Sequence, residues 1–264
     1  MMNRELNLEE IKQLAYETLV FFDEFCKAHA LHYFLSNGTL LGAVKYGGFI
    51  PWDDDVDVLM PRQDYDRFVK LFTDTEMYTL FTSQRDPRYK FPYAKLCNML
   101  TEKRENNIDN GVTLGIDIDI FPLDPCSAHI LNTLTQAKIS VYQKGCILSK
   151  FISAQGRPIH KRLIIQCARK LGYDFFGNKL QNIIRKESLK GSEYMGCLMW
   201  PIYGKKEIIP AEVFSETIEV SFQGRAFPAP EGYDVYLRSL YGDYIKDPPA
   251  EKQCSHHNFT AYGR

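Results

Sequence analysis

A chain of 264 residues, 45% hydrophobic and 25% charged, can bury a proper core as one large domain or two small ones, which excludes a disordered or fibrous protein. No apolar run reaches the roughly 18 residues of a membrane-spanning helix. The start, MMNRELNLEEIKQLA, lacks an apolar signal core, so the reading is a cytoplasmic protein.

Seven scattered cysteines (Cys26, Cys97, Cys126, Cys146, Cys167, Cys197, Cys254) include no C-x-x-C pair. That argues against a zinc site of this type and for reduced thiols. The net charge of −1 hides an asymmetry. Between Ser127 and Ser192 twelve Lys/Arg face only Asp174 and Glu187, giving the segment +10 and the remainder −11. Such a block can attract an anionic polymer or membrane surface, or form a solvated helix face. Because the chain as a whole is not basic, nucleic acid is not an expected partner.

In chain order, Asn7 and Glu10 have capping-box spacing, and apolar residues from Ile11 to Phe25 predict a helix over 8–29. LHYFLS (31–36) predicts a strand, Asn37-Gly38-Thr39 a turn, and 39–46 a short helix. After GGFIPWDDDVDV a strand is expected at 55–60, then a helix opened by Pro61 at its first position and burying Tyr65, Phe68, Val69 and Phe72. Strands are expected at 77–83, 92–100 and 115–123. Residues 128–190 read as helices broken near Gly156-Arg157-Pro158 and Gly172 to Gly177, and the remainder is mixed. The expected architecture is α+β. It comprises residues 1–126 as core, 127–192 as a basic helical segment, and 193–264 as a small C-terminal α/β portion packing back on the core.

Strand periodicity puts Asp55 and Asp57 on one face, a D-x-D pair of hard oxygen ligands suited to Mg²⁺. A metal would also offset the repulsion among four clustered aspartates. A third carboxylate would come from Asp117 or Asp119, which share a face of GIDIDIFPL. Asp53 and Asp54 read mainly as turn-forming residues.

The stretch LSNGTLLGAVKYGGFIPWDDDVDVLMPRQDYDRF, followed by YAKLCNMLT, IDIDIFPLD and LYGDYIKDPPAEKQCSHH, closely resembles the LicD family. That family includes phosphocholine transferases of bacterial surface polymers and is related to fukutin-type proteins. The likeness covers about residues 8–125 and 200–257, and the basic middle matches only loosely. It implies a nucleotidyltransferase-like mixed sheet flanked by helices, and it places the third acid at Asp119, with Asp117 as an extra acid beside it. Lys95 and Thr101 match the family's A-K-x-x-x-x-x-T segment. Lys45-Tyr46 departs from the Arg-His often found there.

The resemblance implies transfer of a phospho-alcohol group from a CDP-activated donor, CDP-choline first, to a hydroxyl of a cell-surface polysaccharide or teichoic acid precursor, releasing CMP. Mg²⁺ would be the cofactor, as one ion or two, with Mn²⁺ able to substitute. Asp55, Asp57 and Asp119 would be catalytic and, with Asp117, metal-binding. Gly38, Thr39, Lys95 and Trp52 would contact the donor, the last by cation–π contact with a trimethylammonium head. His256, His257 and Asp54 would serve the acceptor or accessory roles. The basic segment would touch an anionic membrane at its inner face. Two alternatives stand beside this: nucleotidyl transfer from an NTP with release of pyrophosphate, and a non-enzymatic polyanion- or membrane-docking protein with a degenerate site.

Overall fold

The computed structural model describes residues 4–105, 111–150, 152, 154–254 and 259–264. After β1 (Arg4–Glu5), Asn7 and Glu10 form the capping box that their spacing predicts: each side chain accepts the other's backbone N–H at 3.0 Å, opening α1 (Leu8–Ala28). There follow β2 (Phe34–Leu35), α2 (Asn37–Tyr46), β3 (Asp57–Pro61), α3 (Arg62–Leu71), β4 (Tyr78–Phe81), β5 (Ala94–Glu105) and β6 (Leu114–Cys126). Then come α4 (Thr133–Lys150), α5 (Ile159–Leu171), α6 (Tyr173–Lys190), β7 (Tyr194–Gly196) and β8 (Ile209–Pro210). The hairpin β9 (Thr217–Phe222) and β10 (Arg225–Pro230), α7 (Tyr233–Tyr241) and β11 (Phe259–Gly263) complete the mixed α+β chain.

Three local expectations are corrected. Asn37-Gly38-Thr39 is the first turn of α2 rather than a separate turn; Asn37 takes a φ of 45°, a conformation Asn tolerates better than most residues, and Ser36 is the N-cap. Pro61 is the N-cap of α3, not its first helical residue. The strand expected from Asp55 begins at Asp57, so strand periodicity does not relate those two aspartates.

The chain divides into two compact units, residues 1–123 with 212–264, and residues 124–211. In the first, a mixed sheet runs β1-β11-β5-β6-β3-β2, with β4 also paired to β5. Strands β3 and β6 are parallel, and β5 is antiparallel to β6. Helices α1 and α3 share an aromatic core: Phe22 meets Phe68 edge-on at 5.2 Å, and Phe21 stacks on Tyr78 of β4 at 4.1 Å. In the second unit, Asp124–Cys126 pairs with β7, which pairs with β8. Its core joins Cys126, Ile139, Leu180, Ile184, Leu198 and Met199, so the basic helices pack together with residues that follow them in sequence.

The aspartate-bearing loop between α2 and β3 is braced from several sides. Gly48 donates its N–H to the Gly42 carbonyl at 3.3 Å, and a Cβ on Gly42 would lie 2.3 Å from the Gly48 carbonyl oxygen. The β9–β10 turn, with Gln223 and Gly224 both at positive φ, donates the Gln223 N–H to the Gly47 carbonyl at 2.9 Å. Buried Lys12 donates to the Pro51 carbonyl at 2.9 Å. A methyl group at Gly42 therefore meets immovable backbone, whereas one at Gly48 meets the flexible Gln223 side chain at 3.2 Å. Gly42→Ala should lower the first unit's unfolding midpoint by roughly 5 °C, since an overpacking cost of about 2–3 kcal/mol exceeds the gain of about 1 kcal/mol in helix propensity. Gly48→Ala should change it far less. Calorimetry of the two variants checks the order, and equal midpoints would contradict the close approach.

Candidate active site

Strand pairing brings two of the sequence-predicted acids face to face. Asp57 at the start of β3 lies opposite Asp119 in the parallel ladder to β6, and the Asp119 N–H donates to the Val56 carbonyl at 2.8 Å. Side chains paired across neighbouring strands project from the same face. On the other side of β6, Lys95 of β5 pairs with Asp119, and Cys97 with Asp117. Asp55 lies in the loop just before β3, yet it is the carboxylate whose charge acts most strongly on Asp57, followed by Asp119 and then Asp53.

Asp57 is held from three directions. The Asn37 amide donates to its Oδ2 at 3.1 Å, Thr39 Oγ1 accepts its backbone N–H at 2.8 Å, and its carbonyl accepts the Ser36 N–H at 3.1 Å. Asn37 is itself fixed by Tyr236 of α7, whose hydroxyl donates to Asn37 Oδ1 at 3.0 Å. The first turn of α2 thus serves as the cradle of Asp57. Gly38 faces the aspartate loop, where an added Cβ would sit 2.6 Å from Asp53 Oδ2. Asp53 turns the loop by donating its N–H to the Ile50 carbonyl at 3.0 Å, and the Asp54 N–H donates to Asp53 Oδ1 at 3.2 Å.

Charge in the site is unevenly met. Lys95 Nζ, buried, lies between Asp117 Oδ2 at 2.5 Å and Asp119 Oδ1, and Lys103 Nζ donates to Asp117 Oδ1 at 2.8 Å. Burial works against an ionised Asp117, but Lys103 and Lys95 outweigh it and hold its carboxyl below the usual range. Asp119, left with a share of Lys95, is pushed up to about 6 by burial. Asp57 is driven well upward by burial, then by repulsion from Asp55 and Asp119, with the Asn37 hydrogen bond opposing. Repulsion among the acids is therefore felt most on the Asp57 side of the sheet.

That is where a cation fits. One carboxylate oxygen from each of Asp53, Asp54 and Asp55 lies within 4.8 Å of the others, the one such acid, histidine or cysteine cluster among the described residues. These hard oxygens, with buried, repelled Asp57 beside them, match what Mg²⁺ takes. The three loop acids are half-buried, and their grouping was not legible from strand period.

Of the other expected site residues, Lys95 is engaged with acids. Trp52 is half-buried and meets Tyr46 edge-on at 6.4 Å. The Tyr46 hydroxyl donates to Asp247, and Lys45 donates to the same Asp247 carboxylate at 2.6 Å and to the Tyr244 carbonyl at 3.2 Å. The Lys45-Tyr46 pair thus clamps the segment after α7. His256 and His257 lie outside the described residues. Thr101 supports β5 from within: it donates to the Asn98 carbonyl at 2.6 Å and accepts the Ile116 N–H at 2.7 Å, spanning the register shift that sets Lys103 beside Asp117. Sequence reasoning missed Lys103, Asn37 and Tyr236. For Lys103 the one available signal was its strand-alternate spacing from Lys95.

Residues 30–151 match the family described as LicD/FKTN/FKRP, nucleotidyltransferase domain. The chain is 31% identical over 270 residues to the lipopolysaccharide cholinephosphotransferase LicD of Haemophilus influenzae, covering 98% of this chain and 99% of that protein. A shorter likeness, 32% over 69 residues, relates 26% of this chain to 22% of an uncharacterized protein of Rickettsia typhi. Likeness over nearly the whole of both chains is more than a shared motif, and it takes in both units of the fold. The chain belongs to the LicD family of transferases.

Proposed function

We propose that this protein transfers a phosphocholine group from CDP-choline, or a similar CDP-alcohol, to a hydroxyl of a cell-surface glycan or lipid-linked glycopolymer, releasing CMP. The observation that carries the reading is the full-length likeness to a lipopolysaccharide cholinephosphotransferase in a chain whose Asp57 and Asp119 face each other across parallel strands. Its working place is the cytoplasmic face of a membrane, in keeping with a segment of +10.

Asp55 and Asp57, with Asp53 and Asp54 behind them, would hold Mg²⁺, which when bound neutralises charge on the donor's phosphate oxygens. The chain's own residues do the rest. Asn37 and Thr39 keep Asp57 aimed at Asp119. Asp119, with its carboxyl near 6 and steadied by Lys95, takes the acceptor hydroxyl's proton. The acceptor oxygen attacks the choline-bearing phosphorus, the bond to the bridging oxygen breaks, and CMP leaves with that electron pair. Asp117, with both oxygens on lysines, positions Lys95 rather than touching substrate. The half-exposed Trp52–Tyr46 corner is the proposed cover for the quaternary ammonium.

Incubation with Mg²⁺, acceptor and each of CDP-choline, CDP-ethanolamine, CDP-ribitol and CDP-glycerol should release CMP, fastest with CDP-choline. Pyrophosphate from an NTP instead would establish the nucleotidyl-transfer alternative.

Asp57→Asn should lower turnover by roughly a hundredfold or more while raising the unfolding midpoint in chelator, because it relieves repulsion from Asp55 and Asp119. Unchanged turnover would remove Asp57 from the catalytic set, and a lower midpoint in chelator would contradict the charge assignment.

Lys95→Met should destabilise the fold by roughly 3–5 kcal/mol, leaving Asp117 and Asp119 short of a partner. Urea unfolding checks this; full stability with weakened donor binding would return Lys95 to a phosphate-contacting role.

A further inference from the structure

Helix α5 has two unlike sides. Ile165 and Ala168 are buried, and Ala168 joins Cys146 of α4 and Phe176 of α6 in a small core. Away from that core, Ile159 is 75% exposed, Leu163 56% and Leu171 54%, with exposed Cys167 completing a four-residue repeat. Each step of four residues turns a helix by about 40° beyond a full circle, so these side chains form one strip along the helix. Ile164, 55% exposed, widens it. Single exposed leucines are ordinary, but an apolar strip along a helix needs a partner.

The charges on α5 say what that partner is. Lys161, Arg162, Arg169 and Lys170 are all exposed, and IHKRLIIQCARKL contains no acid. An apolar strip beside basic side chains is the composition of a helix that lies in a lipid interface. A second copy of the chain would set α5 against α5 and bring like charges together. A polyanion such as nucleic acid would use the cations and leave the strip wet. Among the described residues no helix is long and apolar enough to cross a membrane, so contact would be in the plane of the surface.

We propose that the strip Ile159, Leu163, Cys167 and Leu171 of α5 inserts into the interfacial layer of an anionic lipid bilayer, with Lys161, Arg162, Arg169 and Lys170 on the lipid phosphates. The inference rests on the peripheral placement proposed above and is independent of the donor's chemistry.

Cys167 supplies the test. Apart from Cys254, the other cysteines are buried, so a Cys254→Ser protein takes an environment-sensitive fluorophore at Cys167. Vesicles of phosphatidylcholine with phosphatidylglycerol should shift its emission to the blue, salt should reverse the shift, and phosphatidylcholine alone should give little. Unlabelled protein should co-sediment with the anionic vesicles in parallel. Replacing Ile159, Leu163 and Leu171 together by Ser should weaken vesicle binding roughly a hundredfold, without lowering the unfolding midpoint, since all three are exposed. No shift with anionic vesicles at low salt overturns the proposal, as does undiminished binding by the triple variant. A lipid-independent shift that grows with protein concentration, with dimers in the ultracentrifuge, assigns the strip to a second copy and also overturns it. CMP release with a water-soluble acceptor is measured alongside: if it is missing in every protein the donor reading fails, while the vesicle result still stands or falls by itself.

Discussion

Crowding of negative charge in the first unit governs much of how that unit is built. Two like charges 4 Å apart repel by about 4 kcal/mol at the effective dielectric of a protein surface, against a total stability of about 5–15 kcal/mol. Asp53, Asp54, Asp55, Asp57, Asp117 and Asp119 together would unfold a loosely held loop. Two lysines answer part of this. Lys95 reaches Asp117 and Asp119 from the neighbouring strand, and Lys103 reaches Asp117 across the register shift that Thr101 spans. Gly115 permits that shift, since a Cβ there would strike the Asn98 carbonyl oxygen at 2.0 Å. The loop itself is braced by the Gly42–Gly48 contact, Lys12 and the Gln223 turn.

This divides acids that look equivalent in IDIDI. Asp117 is buried with a lysine on each of its two oxygens. Asp119 shares Lys95 and faces Asp57, and Asp57 has hydrogen bonds but no paired cation among the described residues. A site poised in this way gains more from a bound cation than one whose acids already carry salt bridges, because there is repulsion to relieve. Lys45 and Tyr46 fit the same pattern of local neutralisation. Both converge on Asp247, which ties α2 to the segment after α7 and gives the departure from the family's usual Arg-His a partner within the fold.

Periodic segments were legible in the sequence and long-range partners were not. Helix α1, the apolar face of α3 and the break near Gly156 follow from caps, spacing and backbone preference, all of which are local, while the break expected over Gly172 to Gly177 narrows to Gly172, with Gly177 inside α6. Strand β3 starts two residues late because the brace on the loop, not the alternation of Val and Asp, decides where pairing with β6 begins. Asn37 could be read as a turn former, but its contact with Tyr236 spans 199 residues and leaves no local mark. The acid pair itself was legible through D-x-D and IDIDIFPLD. Its lysine partners were not, because Lys103 joins the cluster only through a register shift that no pattern announces.

The second unit poses the opposite electrostatic problem. Glu187, one of two acids in the basic segment, is occupied internally by Ser127 and Lys190. The segment as a whole holds ten more cations than acids. Yet the chain as a whole carries −1, so no net field draws it to an anionic surface from afar. At physiological salt, attraction is confined to about 8 Å. Charge alone then favours a surface only once contact has been made. A contact-range anchor is needed to hold the basic helices where their charge acts, and an apolar strip on α5 among four exposed cations combines both functions in one helix.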